Sequence, residues 1–134
     1  MTPAEASARE RLRVLILEDS LDDAELVQRA LARTLSTADV RWVKTRADFI
    51  EALKDFEPHL VLSDYKLPGF SGLAALALVQ GWAPETPFIL VSGTIGEEMA
   101  VEALKLGATD YVLKDRIERL EAVLRVPVSD FELS

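Results

Sequence analysis

Leu12-Arg13-Val14-Leu15-Ile16-Leu17 is a short apolar run followed at once by two acids, Glu18-Asp19. The run is rich in β-branched residues and too brief for a good helix, so it predicts a buried strand. Three further runs have the same character: Leu60-Val61-Leu62, Phe88-Ile89-Leu90-Val91 and Tyr111-Val112-Leu113. A fifth candidate, Val40-Arg41-Trp42-Val43, alternates as an edge strand does. Helical patterns separate them. Ala24, Val27, Leu31 and Leu35 recur at steps of three and four, as do Phe49, Ala52, Leu53 and Phe56 before Pro58. Leu73, Leu76, Ala77 and Gln80 precede Gly81, and Ala100, Ala103, Leu104 and Leu106 precede Gly107, glycines placed as helix stops. Ile117, Leu120 and Leu124 predict a short last helix closed by Pro127. Ser20-x-x-Asp23, Thr45-x-x-Asp48 and Thr94-x-x-Glu97 have the form of capping boxes. Five alternations of strand and helix with short connections imply parallel strands and helices on both faces, a doubly wound α/β sandwich.

Bulk properties narrow the function. A chain of 134 residues suits one domain, and its 49% hydrophobic share supports a real core. We expect a flexible leader over 1–11, the domain over 12–125 and a tail over 126–134. The alternating tail, with Phe131 and Leu133 apolar, packs on the domain, joins a dimer contact or leads into a further domain. A net charge of −8 argues against direct nucleic-acid binding, which clustered Lys and Arg would serve. With no cysteine and only His59, disulfides, thiolate metal sites and His-pair sites are excluded. No apolar run reaches membrane-spanning length and the start lacks a signal-peptide core, so we expect a cytoplasmic protein.

The polar residues after the strands carry the chemistry. The first strand ends in Glu18-Asp19, the third in Ser63-Asp64, the fourth in Ser92-Gly93-Thr94 and the fifth in Lys114. Ligands of open parallel sheets bind beyond the carboxyl ends of the strands, where the chain order reverses. With strand order 2-1-3-4-5, Glu18, Asp19 and Asp64 meet at that point, and Ser92 and Lys114 approach from neighbouring strands. Three crowded carboxylates favour a cation among them. An all-oxygen donor set favours a hard ion, Mg²⁺ over Zn²⁺ or Cu²⁺. An anion would use the charge of both Mg²⁺ and Lys114, and a phosphoryl group fits, with Ser92 donating a hydrogen bond to it. A carboxylate can attack phosphorus to form an acyl phosphate. Any one of these residues alone reads as a cap, a turn or a solvated surface group; their joint placement makes the case.

These residues resemble the receiver domain of two-component response regulators, over roughly Leu12 to Leu124. The matching pieces are Val14-Leu15-Ile16-Leu17-Glu18-Asp19-Ser20, Asp64-Tyr65-Lys66-Leu67-Pro68-Gly69-Phe70-Ser71-Gly72, Leu90-Val91-Ser92-Gly93-Thr94 and Gly107-Ala108-Thr109-Asp110-Tyr111-Val112-Leu113-Lys114. The resemblance implies a flavodoxin-like, CheY-like three-layer fold with Asp64 as phosphoacceptor. It implies that Glu18, Asp19 and Asp64 hold Mg²⁺ together with the main-chain carbonyl of Lys66. Ser92 and Tyr111 match the coupled switch pair, and Lys114 matches the lysine that pairs with the phosphoryl group. The implied partners are a sensor histidine kinase or histidine phosphotransfer protein, and a downstream protein on the face of helix 4, strand 5 and helix 5; a homodimer stays open. Such a chain is a signalling phosphoacceptor and catalyses only its own modification.

Three departures stand out. Glu18 replaces the more usual Asp and lengthens one metal-binding arm. Asp115 stands where many members have a cis-proline, and is expected to cap the last helix. Lys66 lies where its side chain reaches the phosphoryl group and bears on its lifetime. Two rival readings are a phosphate-independent scaffold of the same fold and a Mg²⁺-dependent phosphohydrolase. The complete set of acids, Ser92 and Lys114 opposes the first. The second lacks a general acid beside Asp64 and a catalytic residue at Lys66.

Overall fold

The computed structural model describes residues 11–93 and 96–128. Five strands form one parallel sheet: β1 (Arg13–Leu17), β2 (Asp39–Val43), β3 (Leu60–Ser63), β6 (Phe88–Ser92) and β7 (Asp110–Leu113). Their order is β2-β1-β3-β6-β7. A two-residue hairpin, β4 (Lys66–Leu67) paired antiparallel with β5 (Phe70–Ser71), sits after β3. Apart from that hairpin the order is the expected 2-1-3-4-5. The apolar strands β1, β3 and β6 are central, and the alternating β2 is an edge.

Successive strand residues point to opposite faces of the sheet, so each strand feeds two cores. On one face Val14, Ile16, Leu62 and Val112 pack with Val27 and Leu31 of α1 (Leu21–Thr34) and Leu120 and Leu124 of α5 (Arg119–Val128). On the other, Leu15, Leu17, Val61 and Leu90 meet α2 (Arg46–Asp55), α3 (Gly72–Trp82) and α4 (Glu97–Lys105) through Phe49, Leu76 and Ala103. Burial of both faces explains why the central strands are continuously apolar and do not alternate.

Several helix ends differ from expectation. α3 runs through Gly81 to Trp82 and stops at Ala83, the residue before Pro84, where helical backbone is disfavoured. Its buried side is Gly72, Ala75, Leu76 and Val79, whereas Ala77 and Gln80 are exposed. Alanines on both sides of this helix blur its apolar phase. α4 begins at Glu97 with Gly96 as its cap, and no side chain caps it; Thr94, the expected cap, lies outside the described residues. Its small residues Ala100 and Ala103 face the core, and Leu104 and Leu106 are exposed. Gly107 does follow the helix end, with φ +112. α5 continues past Arg125 to Val128, because full burial of Leu120 and Leu124 outweighs the local penalty of Pro127. Asp115 sits exposed in a 3-10 turn, Lys114–Arg116, and does not cap α5, which starts later at Arg119. Residues 1–10 and 129–134, with most of the expected leader and tail, lie outside the described residues.

Candidate functional site

Sheet register brings the acids together. Leu17 pairs with Ser63, so Glu18 and Asp64 leave the sheet side by side. The Asp64 N–H donates to Leu17 O (3.0 Å), and the Glu18 N–H donates to Val43 O (3.1 Å). Trp42 Nε1 on β2 donates to Glu18 O at 2.7 Å and fixes the turn out of β1. Behind Asp64, Ser63 Oγ donates to Asp64 O (2.8 Å). The Tyr65 N–H holds Asp64 Oδ1 at 2.7 Å, which leaves Oδ2 facing the centre of the site.

Among the described residues Glu18, Asp19 and Asp64 each offer a carboxylate oxygen, all within 4.8 Å of one another. Glu18 is 2% exposed and Asp64 9%, whereas Asp19 is open to solvent. Lys114, at the end of β7, reaches across to this cluster. Its Nζ lies 2.7 Å from Glu18 Oε1, 2.7 Å from Asp23 Oδ2 and 3.1 Å from Asp64 Oδ2. Burial pushes the Glu18 carboxyl up to about 7, against hydrogen bonds from Lys114 and the Ser20 N–H, and the Asp64 charge adds to the rise. Burial would lower Lys114, but hydrogen bonds to Asp23 and Glu18 and the charge of Asp64 hold its ammonium well above its ordinary value. Three carboxylates thus surround one ammonium, with that of Asp19 beside Glu18 and Asp64, and the surplus negative charge is what a divalent cation would neutralise. With oxygen as the only donor type, the cluster fits a hard ion.

Ser92 is buried at the end of β6, in register with Leu113 beside Lys114. Tyr111 on β7 is half-buried, pairs in register with Leu90 and packs against the core shared by α2, α3 and α4. Lys66 lies in β4 with its side chain exposed. Two contributors escaped sequence reasoning. Asp23 reads as a capping residue, yet its carboxylate binds Lys114 from across the chain. Gly72 is buried against the site: a Cβ there would lie 2.5 Å from Asp64 O and 2.8 Å from Leu90 Cδ2. The Asp64-to-Gly72 motif was a signal for the second; nothing in the sequence pairs Asp23 with Lys114.

A family model described as the response regulator receiver domain matches residues 14–125. The regulatory protein LuxO of Vibrio cholerae is 32% identical over 99 residues, covering 74% of this chain and 21% of that protein. The probable transcriptional regulatory protein NarL of Mycobacterium tuberculosis is 32% identical over 117 residues, covering 86% of this chain and 54% of that one. The chain therefore spans only part of the length of these relatives, about half in the case of NarL. Among solved structures, the signal receiver domain of a putative LuxO repressor protein from Vibrio parahaemolyticus matches with a TM-score of 0.80 and 27% identity, covering 92% of this chain and 94% of that one. The receiver domain of the putative response regulator NarL from Mycobacterium tuberculosis matches with a TM-score of 0.73 and 29% identity, over 87% and 96%.

Proposed function

The chain belongs to the response regulator receiver domain family, and from that premise we propose that Asp64 accepts a phosphoryl group from a phosphohistidine of a sensor kinase or phosphotransfer protein. The observation that carries this reading is the meeting of Glu18, Asp19, Asp64 and Lys114 at the carboxyl edge of the sheet. A carboxylate oxygen of Asp64 attacks phosphorus; the O–P bond forms as the P–N bond breaks, and the imidazole nitrogen keeps the electron pair and takes up a proton. Glu18, Asp19 and Asp64, with the main-chain carbonyl of Lys66, would hold Mg²⁺, which when bound would offset the charge of the transferring group. Lys114 supplies the second positive charge at the same place. The Ser92 hydroxyl donates a hydrogen bond to a phosphoryl oxygen, and Tyr111 follows it inward, so that one added charge biases a two-state element. The exposed Val101 and Leu104 on α4, and Leu106 just after it, support output to a protein partner over the face of α4, β7 and α5. No helix among the described residues is long and apolar enough to cross a membrane, and we assign the chain to the cytoplasm with its kinase partner.

Intact-protein mass after incubation with acetyl phosphate tests the proposal. One phosphoryl adduct is expected on the wild type with Mg²⁺, and none without Mg²⁺ or on Asp64→Asn. An adduct that survives Asp64→Asn would overturn the assignment of the acceptor.

A further inference from the structure

The capping box of Ser20 and Asp23 forms in one direction only. Ser20 Oγ accepts from the Asp23 N–H at 3.3 Å, while the Ser20 N–H donates to Glu18 Oε2 at 3.1 Å. The Asp23 carboxylate, which the box would send back to Ser20, turns to Lys114 at 2.7 Å. That contact is as short as the one from Lys114 to Glu18 and shorter than the 3.1 Å contact to Asp64. An ammonium has three N–H donors, and Glu18, Asp23 and Asp64 give it three acceptors. Of those acids, Glu18 and Asp64 belong to the cation-sized cluster and Asp23 does not.

Resting on the phosphoacceptor reading, we infer that Asp23 is the resting counter-ion of Lys114, a positioning residue that favours the cation and opposes the phosphoryl group. Lys114 rests on Glu18 and Asp64, the oxygens a cation needs, and Asp23 offers it a third acceptor that can keep it when a cation takes the other two. Asp23 also adds its own negative charge to the site, so cation binding gains twice. An anion on Asp64 has the reverse experience: it must take Lys114 from Asp23 and sit near another carboxylate. Asp23 thereby sets how strongly the phosphorylated state is opposed. The Asp23 side chain is 40% exposed against 11% for Lys114, so solvent screens the pair and its effects are moderate.

Calorimetric titration with Mg²⁺ alone, then with beryllofluoride at saturating Mg²⁺, tests this on wild type, Asp23→Asn, Asp23→Glu and Asp22→Asn. Asp23→Asn keeps the N–H that Ser20 accepts, so the start of α1 stays capped. It is expected to bind Mg²⁺ about three-fold more weakly and beryllofluoride about three-fold more tightly, the scale of a partly exposed ion pair. Asp23→Glu, which keeps the charge, returns both affinities toward wild type. Asp22→Asn removes an equal charge from the exposed neighbouring position and leaves both nearly unchanged. The inference is overturned if both affinities of Asp23→Asn move in the same direction, if they stay at wild-type values, or if Asp22→Asn reproduces the split. A wild type that binds Mg²⁺ and no beryllofluoride would overturn the phosphoacceptor reading itself, and this inference with it.

Discussion

Lys114 is the residue on which the site turns. Its side chain is nearly buried, and its charge answers those of Glu18 and Asp64, which are buried too. Replacing one member of such a group leaves the others without compensation. Lys114→Met is therefore expected to lower the stability of the metal-free protein by about 3 kcal/mol at neutral pH, measured by urea unfolding, with Mg²⁺ restoring part of the loss. His59 behaves differently. Its Nδ1 accepts the Arg13 N–H at 2.9 Å, so the ring is held neutral at the start of β3. Burial, and then the charge of Arg13, lower its pKa from the ordinary 6.5. With the folded value below the unfolded one, its contribution to stability is complete above pH 6.5 and is lost as pH falls through the lowered folded value. Titration of this histidine by NMR is expected to show a midpoint below 6.5, and a midpoint at or above it would contradict the placement.

The element that matters most to the site is the connection from β3 into α3. After Asp64 the chain makes the β4–β5 hairpin, then enters α3 with Ser71 as cap, its hydroxyl accepting the Ala74 N–H at 3.2 Å. The Gly72 N–H donates to Tyr65 O at 2.6 Å, which closes the hairpin directly onto the segment that carries Asp64. No Cβ fits at Gly72 without moving the Asp64 carbonyl. Gly72→Ala is expected to cost about 2 kcal/mol, as overpacking in a core does, and to weaken Mg²⁺ binding because Asp64 shifts. Both follow from one urea titration and one calorimetric titration; a variant of wild-type stability with weakened Mg²⁺ binding would separate the two effects. Helix ends were less legible than strands for a related reason. Glycine at 81 and proline at 127 weaken a helix locally, but side chains buried elsewhere along α3 and α5 decide whether it continues.

At the scale of the whole molecule, the net charge of −8 and the surplus of acids at one edge of the sheet lead us to expect that a divalent cation stabilises the fold. A ligand that binds only the folded state at about 100 times its dissociation constant adds roughly 2.7 kcal/mol. Scanning calorimetry is expected to show the melting temperature rising with Mg²⁺ and much less with Na⁺ at matched ionic strength. Asp64→Asn, with one fewer charged ligand, shows a smaller rise at the same Mg²⁺ concentration. The matched-salt control separates specific binding from screening of the acidic surface.

The five-strand architecture and the site at its carboxyl edge were determined by the sequence itself, because runs such as Val14–Leu17 and Leu60–Leu62 carry their burial in their composition. The acids that follow them are placed by chain connectivity: a residue after a central parallel strand has one edge to occupy. Only the tertiary structure could decide which of those charges meet. Asp23 and Lys114 are 91 residues apart and each has an ordinary local role, so their contact exists only once α1 and β7 are packed on the same sheet. The buried side of α3 and the exposed leucines of α4 were settled in the same way. α3, with apolar residues all round, takes its orientation from the sheet it covers, and no periodicity within the segment records it.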